Sequence, residues 1–172
     1  MTDDVRPDTN DLTSLQRLDP WAALQDGRRQ LLAALDACDP RAGARTLTIP
    51  EFANLGEATG TLTGLLLAHA ARDREHAVFF AALDTPDGII DSTQTTAELT
   101  DDWSAVRVEV EAARLAMLER AAEIGSEHWE RPLQPPWEDG GQDYLISLLV
   151  VRAMCDGLLA DAISALRAPT DR

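Results

Sequence analysis

The chain has 172 residues, a formal net charge of −15, 45% apolar residues and 26% charged ones. That length suffices to bury one continuous core, and the composition is globular rather than disordered or fibrous. It contains no lysine and its arginines form no basic stripe, so neither nucleic acid nor anionic lipid is an expected partner, because both are bound by cations that displace counterions.

Residues 1–17 lack apolar periodicity and read as a flexible N-terminal arm, leaving residues 18–168 as a single domain. The first predicted helix opens with Asp19 as N-cap and Pro20 at the next position, where a missing N–H costs nothing. Trp21, Leu24, Leu31, Leu35 and Cys38 follow at helical spacing, and Pro40 closes the segment. Residues 40–56, with Pro40, Gly43, Pro50 and Gly56, read as a connection. No alternating strand pattern is apparent along the chain.

From about Gly60 the pattern is strict. Leu62, Leu66, His69, Asp73, His76, Phe80 and Leu83 alternate by four and three, one stripe on a second helix, and Asp84, Pro86, Asp87 and Gly88 end it. The third helix carries Leu99, Trp103, Val106, Val110, Ala113, Met117 and Ile124 on one face, with Thr96 or Thr100 as the expected cap and Gly125 as the stop. A loop rich in proline, carrying Trp129 and Trp137, precedes a fourth helix over residues 142–166, with Leu145, Leu148, Leu149, Leu159, Ile163 and Leu166 on its apolar face. Four amphipathic helices satisfy their apolar faces most simply in an antiparallel four-helix bundle, an all-α fold.

No apolar run approaches the roughly 18–20 residues of a membrane span, and the N-terminus lacks the basic and apolar regions of a secretory signal. The protein is therefore expected in the cytoplasm. Cys38 and Cys155 both fall in the apolar phase of helices and are expected as reduced core thiols.

The stripes are interrupted by ionisable residues at two places: His69, Asp73 and His76 on the second helix, and Arg152, Cys155 and Asp156 on the fourth. An ionisable group inside a helical core is unfavourable unless paired, so these six form a candidate internal polar site. Two readings stand. A histidine and a carboxylate at i, i+4 share a helix face and can hold a divalent metal or relay a proton, with ligands completed from a second helix. Alternatively they form a buried network, Arg152 with Asp156 or Asp73, and a histidine bonded to a carboxylate. Burial is expected to raise the Cys155 thiol pKa and quiet it as a nucleophile. His128 is assigned to the surface, and Trp129 and Trp137 are the candidate pocket residues. There is no glycine-rich phosphate loop, no G-x-S-x-G elbow, no C-x-x-C and no H-E-x-x-H.

The Leu-Leu-Leu-Ala-His run at 65–69, the long third helix, the Glu-Arg-Pro-Leu run at 130–133 and the ending at 160–167 together resemble the DinB/YfiT-like superfamily of bacterial helical bundles. The resemblance spans residues 18–167. It implies a stress-associated protein, a homodimer, and a divalent metal such as zinc or nickel held by one histidine of the second helix and an H-x-x-x-H pair of the last, serving thiol-dependent transfer. His69 matches the first ligand. The pair is missing: Cys155 and Leu159, or Arg152 and Asp156 in a shifted register, stand in its place, so the triad is degenerate. The resemblance then implies a binding or scaffold protein without its metal, the alternative being a metal-dependent transferase that uses His69 and residues of the fourth helix.

Overall fold

The computed structural model describes residues 19–55, 58–83, 102–125, 128–129, 132–133 and 144–166. The N-terminal arm, turn residues 84–88, Thr96, Leu99, Thr100 and Trp137 lie outside them. The described chain is mostly helical, with four long helices and a two-stranded sheet: α1 (Pro20–Asp36), β1 (Thr46–Thr48), β2 (Thr59–Thr61), α2 (Leu62–Leu83), α3 (Trp103–Glu123) and α4 (Leu145–Ala165). None of these helices is long and apolar enough to cross a membrane.

The predicted start of α1 holds, with Asp19 Oδ1 accepting from the N–H groups of Trp21 and Ala22 at 3.0 and 3.3 Å. The cap of α3 is Asp102, which accepts from Ser104 N–H at 3.0 Å. An aspartate one residue before the first turn meets the orphan donors of the helix as well as a threonine does, and it sits closer than Thr96 or Thr100. The sheet is the element absent from the sequence reading. Thr46, Leu47 and Thr48 pair antiparallel with Thr61, Gly60 and Thr59, and short 3₁₀ turns at Pro40–Ala44 and Pro50–Leu55 flank β1. Strands of three residues show no alternation long enough to register. The pairing continues as Leu62 N–H donates to Arg45 C=O at 2.9 Å, which aims the chain into α2.

α1 packs along α4, and α2 along α3. Within each pair the two helices run the same way. Gly27 meets Ala153 and Asp156, and one turn on Gly157 meets Gln30. Likewise the first half of α2 shares an apolar cluster with the first half of α3, and their second halves share another. The two pairs run opposite ways, since the C-terminal half of α1 joins the N-terminal half of α2. Leu83 and Trp103, the ends to be connected, therefore lie at opposite ends of their pair.

One cluster gathers Leu31, Leu35, Leu62, Leu66, Val106 and Leu159, and the other Leu24, Phe80, Met117, Leu145 and Leu149. Each such side chain contributes about 1.5–3 kcal/mol by leaving water. Six of the seven residues in the predicted stripe of α2 are buried, Leu83 alone being half-buried. Cys38 and Cys155 are both buried, and neither is in a disulfide.

At Gly27 a Cβ would lie 2.7 Å from the carbonyl oxygen of Ala153, so α1 and α4 approach as closely as they do because no side chain stands there. Gly27→Ala is expected to lower stability by about 1–3 kcal/mol in urea unfolding despite the better helix propensity of alanine, as the helices must part to admit a methyl group.

Candidate functional site

Between the two apolar clusters lies a buried polar centre. α2 supplies His69 and Asp73, α4 supplies Arg152 and Asp156, and α3 adds Arg114, each no more than 3% exposed. Asp73 is clamped from both sides: Arg152 Nε donates to Oδ1 at 2.8 Å, and Arg114 Nε lies 3.1 Å from Oδ2. Arg114 Nη2 donates to Asp156 Oδ1 at 2.5 Å. His69 Nε2 lies 2.6 Å from that same oxygen, and its Nδ1 lies 2.7 Å from Arg152 Nη2. A guanidinium can only donate, so Nδ1 accepts and the ring proton sits on Nε2, donating to Asp156. Arg152 Nη2 also donates to the backbone carbonyl of His69 at 3.0 Å.

The sum of charge is zero: two guanidiniums, two carboxylates and a neutral imidazole. Burial, reinforced by the cation of Arg152, holds His69 well below its ordinary value. Burial pushes the Asp73 carboxyl up, but Arg152 and Arg114 outweigh it and leave its pKa lowered. Asp156 moves the other way, because burial exceeds the pull of the same two arginines. For Arg152 burial works against the charge, yet Asp73 and its other neighbours leave the guanidinium firmer than usual. The Cys155 thiol is raised by burial despite the nearby Arg152, so it is a poor nucleophile, as the sequence implies.

Of the six residues proposed from sequence, His69, Asp73, Arg152 and Asp156 meet in this centre. Cys155 belongs to the apolar cluster containing Leu159. His76 donates from Nδ1 to the Arg72 carbonyl at 2.7 Å and packs edge-on against Phe80 with ring centroids 5.9 Å apart. The two networks suggested from sequence occur in specific form, Arg152 with Asp73 and His69 with Asp156. Arg114 was missed. Its signal was available, since it stands four residues after Val110 and three before Met117, on the apolar face of α3.

One assignment needs correction. His128 is 3% exposed and therefore not a surface residue, being set beside Trp129 in a short turn that follows α3. Trp129 packs on Trp21, with ring centroids 6.0 Å apart, against the second apolar cluster.

The donor set does not fit a divalent metal. A metal-bound histidine must present a free lone pair and the ligands must be anionic or neutral. Here Nε2 carries the proton given to Asp156, Nδ1 accepts from Arg152, and guanidiniums already contact the carboxylates, Arg114 both of them and Arg152 that of Asp73. Among the described residues no group of three or more histidine, cysteine, aspartate or glutamate side chains is placed to hold an ion. Comparison of the chain with protein-family models, with curated proteins and with solved structures finds no match.

Removing one anion from this centre strands cations in a medium that cannot solvate them. Asp73→Ala is expected to lower stability by about 3–5 kcal/mol in chemical denaturation, several times the effect of trimming an exposed pair such as Arg120–Glu123.

His76 is held at about 4, chiefly by burial and then by Arg152. Its folded value lies below the ordinary 6.5, so the unfolded chain takes up a proton first as pH falls, and stability is lost between pH 6.5 and 4. The stability difference between wild type and His76→Gln is expected to stay constant above pH 7 and to shrink by about 3 kcal/mol on approaching pH 4. Urea titrations of both chains across that range measure it, and taking a difference cancels the opposing contribution of Asp156.

Proposed function

We propose that this chain is a DinB/YfiT-like four-helix bundle in which a charge network stands where the resemblance puts a metal, and that it acts in the cytoplasm as a stress-associated binding or scaffold protein. One observation carries the reading: both ring nitrogens of His69, the residue matching the first metal ligand, are engaged by Asp156 and Arg152. A side chain so committed offers nothing to a cation, and the arginines raise the potential where the cation would have to sit. The network instead ties three helices together and lends rigidity to a surface.

A homodimer is part of the proposal. Val151 and Met154 on α4, and Val108 and Leu115 on α3, are large apolar side chains left exposed at helical spacing, a supporting feature for contact with a second copy.

Protein purified without a metal-affinity tag, analysed by plasma mass spectrometry, is expected to carry zinc and nickel far below one equivalent. Its melting temperature should not respond to either metal, and it should sediment as a dimer. A full equivalent of bound metal that disappears in His69→Ala would overturn the reading in favour of a metal-dependent transferase using His69 and residues of α4.

A further inference from the structure

Four buried side-chain atoms have no hydrogen-bond partner among the described residues: Asp156 Oδ2 and Arg114 Nη1 of the charge network, and Arg28 Nε and Arg107 Nε outside it. The first three belong together. Asp156, Arg114 and Arg28 all border one small cavity at the seam of α1 and α3, its lining completed by Leu31, Leu32, His69, Val110 and Glu111. Its volume is about 10 Å³, which is the room one water oxygen takes up. Leaving such atoms unmatched in the interior is unfavourable for each of them, most of all for the charged ones.

The missing partner is defined by what the three atoms require. Asp156 Oδ2 needs a hydrogen, while the two guanidinium N–H groups need a lone pair each. A carboxylate offers no hydrogen to Oδ2 and would repel it, and a phosphate, though it can carry a proton, is an anion too large for the cavity. A halide likewise cannot donate, and an ammonium group cannot accept. A hydroxyl oxygen donates once and accepts twice. On the outer side, Arg28 and Leu32 also line an open groove of about 580 Å³ on the surface of α1, bordered by Gln25, Arg29, Ala33 and Asp36.

We propose that the α1–α3 seam holds a hydroxyl-binding site, in which one oxygen bridges Asp156, Arg114 and Arg28. The oxygen belongs either to water or to the terminal hydroxyl of a small polyol whose body lies in the surface groove. The site deepens the metal-free reading and rests on it, since a metal on Asp156 would claim Oδ2.

Crystals of the full chain grown without glycols decide the matter. The expected result is one oxygen peak within about 2.6–3.2 Å of Asp156 Oδ2 and Arg114 Nη1. A soak in propane-1,2-diol separates the two sources: an unchanged single peak assigns the site to water, and density continuing past Arg28 into the groove assigns it to a ligand hydroxyl. The proposal is overturned by Arg28 turning onto Asp156 Oδ2, by a halide in the cavity, or by an unfilled cavity in the absence of metal. An anomalous peak from a transition metal bound by Asp156 would sink the metal-free reading itself, a distinguishable outcome.

Discussion

Charge compensation in a dry interior is the constraint on which the arrangement of these helices rests. Moving one carboxylate or guanidinium out of water costs several kcal/mol even after relaxation, so four of them are admissible only with their partners supplied. Asp73 cannot be buried on α2 unless Arg152 of α4 and Arg114 of α3 are both at hand, and Asp156 cannot be buried on α4 unless Arg114 and His69 are. Apolar packing tolerates small slides between helices. A fork of N–H donors meeting a carboxylate does not, and so the network fixes the register of three helices at once.

The same compensation sets the chemical temper of the centre. A histidine between an arginine and an aspartate has the neighbours a proton relay uses. Here the donor on its Nδ1 side cannot give its proton up, and the imidazole is held neutral. Every polar contact of His69 is of a kind that orients the ring. The cysteine nearby is muted by its apolar surroundings. Among the described residues, chemistry-bearing side chains are thus close together and yet disposed as a brace.

Much of this was legible in the sequence because burial and helical period speak through each residue separately. The stripe from Leu62 to Phe80, the Asp19–Pro20 start of α1 and the polar interruptions at His69, Asp73, Arg152 and Asp156 could all be read one position at a time. What escaped depends on relations. The three-residue strands exist only because each pairs with the other, and Thr46 alone carries no hint of Thr61. Arg114 was passed over since it is one of three arginines on an alanine-rich helix where such residues are usually solvated, and its partners lie 41 and 42 positions away on either side of it in the chain. His128 next to a tryptophan looked like loop surface, whereas it is buried. The parallel course of α2 beside α3 was equally hidden, as spacing on each helix says which face is apolar and nothing about direction.

The connection between α1 and α2 has an effect beyond linking them. Arg45, the residue just ahead of β1, passes its carbonyl to the first N–H of α2 and reaches with Nη1 to the carbonyl of Leu166, 3.2 Å away, at the far terminus of α4. The last carbonyls of a helix have no partner of their own, and a cation there also answers the negative end of the helix dipole. One residue, by its carbonyl and its guanidinium, consequently sutures the opening of the second helix to the closing of the last, across 121 positions of sequence. The final turn of α4 gains this clasp only after the chain has folded back from β1 to α4, so the contact links that terminus to the little sheet.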